Sequence, residues 1–227
     1  MVAVAALAGV VLISAFVFLS ASAPAYACSS EWVPDPTPSP ALGAPANLGY
    51  VQPDTGTRHL KVGEKATYTY CPPATGAHYN AEGAGPIKPR VYGPSDRAIP
   101  EGWLHSLEHG GLVILYRGDG PGGTDAGQVA LRTLFDEFPD SPRCGIAPGI
   151  EPGVVVARFD TMATPFSVIV WGRVLPLQTL DTAQILAFWN EWGERTNPEK
   201  LCTAPSPAPI VAPSPAPSAE PASPSPS

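Results

Sequence analysis

The sequence has little positive charge. Its 227 residues contain 13 Lys and Arg against 20 Asp and Glu, which gives a formal net charge of -7 at pH 7. A protein that holds a phosphate backbone needs clustered basic side chains, and the chain has no basic patch of that kind. Nucleic acid is therefore excluded as a predicted partner.

Cysteine is also sparse, and no Cys-x-x-Cys pair occurs. That absence argues against a zinc site built on cysteines and against thioredoxin-like redox chemistry. An even number of widely spaced cysteines in an exported chain instead indicates disulfide bonds. The four cysteines allow three pairings. We favour Cys71 with Cys144, both inside the predicted domain, and Cys28 with Cys202, which flank it.

Charge is missing altogether from residues 2–23, an apolar run long enough to span a bilayer. The sequence Ala25-Tyr26-Ala27 follows, a small-x-small pattern of the kind that signal peptidase cleaves. Residues 1–27 are therefore predicted to be a signal peptide or an N-terminal membrane anchor, with lipid attachment at Cys28 as a less favoured alternative. Each outcome is extracytoplasmic: the domain is secreted or held at the membrane of the cell envelope, where a further envelope protein is a candidate partner.

Low-complexity sequence borders a single globular region. Residues 28–49 are rich in Pro and Ala and predict an extended linker. Residues 203–227 repeat Pro, Ala and Ser and predict a disordered tail, because such a composition cannot bury a core. Residues 50–202 have the length of one ordinary domain, which we expect to be a monomer.

Hydrophobic patterning divides this domain into strands and helices. Strands are predicted over residues 65–70, 112–116, 154–159 and 166–175, the last two forming an antiparallel hairpin. Helices are predicted over residues 100–109 and 128–138 and after a capping Asp181. This order predicts an α+β domain with a single small mixed sheet, two to three helices packed on it, and long irregular loops.

Histidine is scarce, yet three of the four histidines fall in two constrained segments. His105 and His109 are four residues apart on a predicted helix, so both can reach one metal ion. His78 stands in a stiff loop that contains two prolines and is the predicted third ligand. Met162 is a candidate soft fourth ligand, which would suit copper. The sequence thus predicts a copper or zinc site without turnover, whereas His59 is predicted to be exposed.

Two other interpretations use the same residues. The stretch 105–109 has the order His-x-x-Glu-His of inverted zincin proteases, so Glu108 is the catalytic candidate if the protein is an enzyme. Two glycines end the predicted helix directly after the motif, which counts against that interpretation. Ser106 lacks the strand-to-helix elbow of a serine hydrolase. The remaining alternative is an envelope interaction module, in which the histidines only satisfy hydrogen bonds at a helix end.

Three segments in order resemble a known family. They are Cys71-Pro72-Pro73-Ala74-Thr75-Gly76-Ala77-His78-Tyr79, Trp103-Leu104-His105-Ser106-Leu107-Glu108-His109-Gly110-Gly111 and Val170-Trp171-Gly172-Arg173. Together they resemble the domain of unknown function 3105 of exported bacterial proteins, which is similar to the outer domain of an animal p53-inducible membrane protein. The resemblance covers about residues 62–194 and implies an extracytoplasmic domain behind an N-terminal anchor. It implies no established activity.

Overall fold

A computed structural model describes residues 26–35 and 48–200. Nine strands lie within these residues: β1 (Ala27–Cys28), β2 (Tyr50–Val51), β3 (His59–Leu60), β4 (Thr67–Tyr68), β5 (His78–Tyr79), β6 (Leu112–Tyr116), β7 (Val154–Arg158), β8 (Phe166–Val170) and β9 (Arg173–Leu177). The helices in the same residues are α1 (Pro100–Glu108), α2 (Asp125–Asp136) and α3 (Thr182–Trp192), with a 3-10 turn at Pro121–Gly123. The predicted α+β class is confirmed.

A five-stranded mixed sheet forms the centre of the domain, in the order β2-β9-β8-β6-β7. Strand β6 is buried along its whole length because both faces of the sheet are covered. Val113 and Leu115 pack into the cluster that contains residues of α1, and Leu112 and Ile114 pack into the cluster on α2 and α3. This alternation is what a strand between two packed layers requires, since successive side chains point to opposite faces.

The predicted hairpin between residues 154–159 and 166–175 is wrong. Strands β7 and β8 lie on opposite sides of β6, β7 in parallel and β8 in antiparallel pairing. A buried central strand needs partners on both edges, because its backbone N–H and C=O groups have no water to bond. The run 166–175 also contains a tight turn at Trp171 and Gly172, where the glycine has a φ of 70°, so that β8 and β9 form the hairpin instead.

Helix α1 places part of the candidate site and is buried on every side. It begins at Pro100, which lacks the N–H that a first helical residue leaves unbonded. Gly110 ends it with a φ of 102°, and Gly111 follows where any Cβ would strike the carbonyl oxygen of Pro152. The predicted stop at the two glycines is therefore confirmed, and β6 starts at once.

The disulfide pairing differs from the one predicted. Cys28 is bonded to Cys71, with their Cα atoms 6.0 Å apart, so the pairs Cys71–Cys144 and Cys28–Cys202 are wrong. The reason is that β1 pairs in parallel with β4, which brings Cys28 to the start of the loop after β4. Cys144 is also disulfide-bonded, and Cys202 lies outside the described residues. The bonds indicate an oxidising, extracytoplasmic compartment.

The N-terminal stretch 26–35 lies on the domain, although residues 28–35 belong to the predicted linker. Tyr26 and Trp32 pack against the cluster that contains α1, and the backbone N–H of Trp32 donates to the backbone carbonyl of Cys71 over 2.8 Å. The apolar run 2–23, most of the linker and the predicted tail lie outside the described residues. None of the helices within 26–35 and 48–200 is long and apolar enough to cross a membrane.

Candidate metal centre

Two short parallel strands place His59 beside His78. Strands β3 and β5 pair with His59 opposite His78, and the centroids of the two imidazole rings are 4.9 Å apart. Helix α1 packs against β5 and presents His105 and Glu108, which are three residues apart and so lie on one face. Four side chains from three segments that are distant in sequence thereby converge.

The carboxylate of Glu108 is the centre of this group. Its Oε2 lies 2.9 Å from His78 Nε2, 3.3 Å from His59 Nε2 and 3.9 Å from His105 Nε2. The four ligand atoms all lie within 4.8 Å of one another. The side chains of His78, His105 and Glu108 are at most 4% exposed, whereas that of His59 is 43% exposed. The group is therefore closed on the protein side and open at His59.

Backbone carbonyls fix the protons of two rings. Nδ1 of His78 lies 2.8 Å from the carbonyl oxygen of Gly76, and Nδ1 of His105 lies 2.6 Å from that of Tyr79. A carbonyl oxygen only accepts, so each Nδ1 carries hydrogen and donates. In a neutral imidazole the other nitrogen then holds a lone pair. The Nε2 lone pair of His78 faces Glu108, and that of His105 lies between Glu108 and His109. Fixing one ring nitrogen by a hydrogen bond is how proteins orient metal-binding histidines.

These hydrogen bonds make the contact between His78 and Glu108 depend on a shared proton or metal ion. With neutral rings, His78 Nε2 and Glu108 Oε2 are two acceptors 2.9 Å apart. A proton or a metal ion has to lie between them for the contact to be favourable. Burial lowers the pKa of His105, although the hydrogen bond to the Tyr79 carbonyl opposes this effect. The neutral ring, which is the form that binds a metal, is therefore favoured at this position.

Two neighbours complete the surroundings of the group. The indole ring of Trp171 stands perpendicular to the imidazole of His78 with centroids 6.1 Å apart, which closes the site from the β8–β9 turn. Asn80 Nδ2 lies 3.5 Å from His59 Nδ1 on the exposed side. An amide carries both a donor and an acceptor, so Asn80 can bond either tautomer of His59.

The structure brings together two of the predicted ligands, His78 and His105, and adds Glu108 and His59. The sequence prediction missed His59 because two-residue strands carry almost no periodicity, and its parallel pairing with His78 is a long-range contact. His109 lies next to the group, with its Nε2 3.0 Å from His105 Nε2. Met162 is buried in the apolar cluster of α1, and its carbonyl accepts from Arg117. Metal binding by His109 and Met162 stays a prediction.

Fold and site thus define an α+β domain with a cluster of three histidines and one glutamate that is buried except at His59. The family model described as "Protein of unknown function (DUF3105)" matches residues 59–205. The chain belongs to this family, which confirms the resemblance seen in its motifs. No curated protein and no solved structure gives a significant match to the chain. The matched region begins at His59 and contains the whole group.

Proposed function

We propose that the protein binds one transition metal ion, zinc or copper, through His59, His78, His105 and Glu108, and that it does so without catalysis. The observation that carries this proposal is the convergence of three imidazoles on one buried carboxylate, two of them with Nδ1 bonded to a backbone carbonyl so that Nε2 is left to bind a metal. Imidazole suits zinc and copper, and a carboxylate adds one negative charge against a divalent ion.

The spacing of the ligand atoms supports a single tetrahedral ion. Zinc–nitrogen and zinc–oxygen bonds are about 2.0–2.2 Å long, so two ligands on one tetrahedral ion are about 3.3 Å apart. The distances from Glu108 Oε2 to the three nitrogens are 2.9, 3.3 and 3.9 Å and bracket that value.

The ligand set favours storage or handling of the ion over hydrolysis. Catalytic zinc sites keep one position for water, whereas four protein ligands fill the tetrahedral shell. Glu108 lies among the nitrogens as a ligand, while the glutamate of a His-x-x-Glu-His protease must stand beside a metal-bound water. The group contains no sulfur, which favours Zn²⁺ and Cu²⁺ over Cu⁺.

The wider role that we propose is metal handling or assembly in the cell envelope. The disulfide between Cys28 and Cys71 supports an oxidising compartment. In this proposal the domain acts as a monomer, is held at the membrane or secreted through residues 1–27, and exchanges its metal with another envelope protein.

Metal analysis of untagged protein tests the proposal. After dialysis against Zn²⁺ or Cu²⁺ and removal of loose ions, we expect one equivalent per chain in the wild type and far less in the double variant His78→Gln, His105→Gln. Glu137→Gln is a suitable control, because Glu137 is exposed at the end of α2 and remote in the fold from the group. Circular dichroism establishes that each variant is folded. Equal metal content in the wild type and the double variant would overturn the proposal, as would hydrolysis of peptides by the zinc-loaded protein.

A further inference from the structure

His109 stands at the outer side of the proposed metal group between two partly exposed carboxylates. Its Nε2 lies 3.2 Å from Glu199 Oε2, and its Nδ1 lies 3.9 Å from Glu151 Oε1. The ring itself is partly exposed. Ligand atoms of Glu108, His109 and Glu199 lie within 4.8 Å of one another and so form a second group that can hold a metal ion.

Two buried ligands face both groups. Glu108 belongs to each of them. His105 is almost fully buried, and its Nε2 lone pair lies 3.9 Å from Glu108 Oε2 but only 3.0 Å from His109 Nε2. A cation near His109 would therefore already be within reach of two ligands of the inner group. The outer group differs from the inner one by the partly exposed carboxylate of Glu199, whose charge is screened by water and salt. We therefore expect the outer group to bind an ion more weakly than the inner group.

The charges beside the opening at His59 are mixed, whereas both charged side chains that contact His109 from outside the inner group are carboxylates. Asn80, the neighbour of His59, lines a cleft of about 550 Å³ whose wall carries the basic side chains of Lys88, Arg90 and Arg97 and the acidic side chain of Glu82. Arg90 is itself paired with Asp96. The carboxylate of Glu151 lines the same cleft and faces His109. Fields of this kind concentrate a cation at the acidic side of a surface before it binds.

We infer that His109 and Glu199 form an outer, transient metal position through which the ion enters and leaves the inner group. In this exchange the bonds to His109 and Glu199 break as bonds to His59 and His78 form, while His105 and Glu108 hold the ion throughout. The oxidation state of the metal does not change. The inference rests on the function proposed above and adds to it a route and two residues.

Transfer kinetics test the inference, because a residue on the route changes rates and leaves the equilibrium unchanged. Zn²⁺ is supplied from a zinc-loaded fluorescent indicator and withdrawn by a strong chelator in stopped-flow experiments on the wild type, Glu199→Gln, His109→Gln and the control Glu137→Gln. We expect both variants of the outer position to slow uptake and release by the same factor, on the order of tenfold. Their Kd for Zn²⁺ stays within about twofold of the wild-type value, and the control behaves as the wild type.

Three results would overturn the inference, and they are distinguishable. Unchanged uptake and release rates in both variants would mean that the ion does not pass His109. A raised Kd with faster release in His109→Gln would make His109 a permanent ligand of the inner group. A wild type that takes up no Zn²⁺ at all would refute the proposed metal site itself, together with the route that depends on it.

Discussion

Replacing Glu108 by glutamine should have opposite effects on the stability of the metal-free and the metal-bound protein. The substitution keeps the shape of the side chain but removes its charge. In the metal-free protein, the amide N–H can donate to His78 Nε2, which now faces a carboxylate oxygen at 2.9 Å. We therefore expect the metal-free variant to be at least as stable as the wild type, because a neutral hydrogen bond contributes about 0.5–1.5 kcal/mol.

The metal-bound protein should respond in the opposite direction. At a free metal concentration 100 times the Kd, binding stabilises the folded wild type by about 2.7 kcal/mol. For a domain of this size, 1 kcal/mol shifts Tm by about 2–4 °C, so the expected rise is about 5–11 °C. If loss of the charged ligand weakens binding about 100-fold, the same metal concentration stabilises the variant by only about 0.4 kcal/mol.

Differential scanning calorimetry of both proteins, with and without Zn²⁺, measures the four values that are needed. Glu137→Gln again serves as the control for the change of charge, since its side chain is exposed and remote in the fold. An equal rise of Tm in the wild type and in Glu108→Gln would show that Glu108 is not a ligand. A metal-free variant destabilised by several kcal/mol would show that the carboxylate is structural, and the argument from the two facing acceptors would be wrong.

Other parts of the fold give three further predictions. Burial raises the pKa of Glu101, so this carboxyl favours the folded protein most in acid, where it is protonated, and that stability is lost as pH rises from the ordinary carboxyl pKa through the raised pKa of Glu101. Glu101→Gln should therefore match the wild type in acid and unfold at a higher denaturant concentration than the wild type at neutral pH. Cys28→Ser opens a loop with a sequence separation of 43 and should lower the free energy of unfolding by about 4 kcal/mol, measured by urea titration. Gly111→Ala pushes a Cβ into the Pro152 carbonyl and should cost about 1–3 kcal/mol in the same assay, whereas Gly145→Ala, at an open position, tests the cost of a positive φ alone.

Local rules predicted the elements that depend on neighbours in sequence. The apolar run of β6, the proline start and glycine stop of α1, and the capping role of Asp181 all follow from a few adjacent residues. The structure agrees on each point, and the Asp181 side chain accepts from the Gln184 N–H over 3.0 Å. His105 was found for the same reason, because a helix fixes which residues share a face.

Long-range pairing decided what the sequence could not predict. The partner of Cys71 depends on β1 lying beside β4, and the place of His59 depends on β3 lying beside β5. Strands of two residues leave no pattern of alternation from which such pairs can be read. The mistaken hairpin has a related cause, since a short connection between two strands does not reveal that β6 lies between them.

The carbonyl groups of Gly76 and Tyr79 have a thermodynamic consequence for the site. They hold the rings of His78 and His105 in one orientation before any ion arrives. Ordering a mobile side chain on binding costs about 0.5–1.5 kcal/mol, and in this group only the half-exposed His59 remains to be ordered. The two buried rings therefore lose their side-chain entropy when the protein folds and not when the metal binds. Packing of the sheet and helices compensates that loss. Small zinc domains unfold when their metal is removed, but this domain should keep its fold and present a vacant site that is ready to bind again.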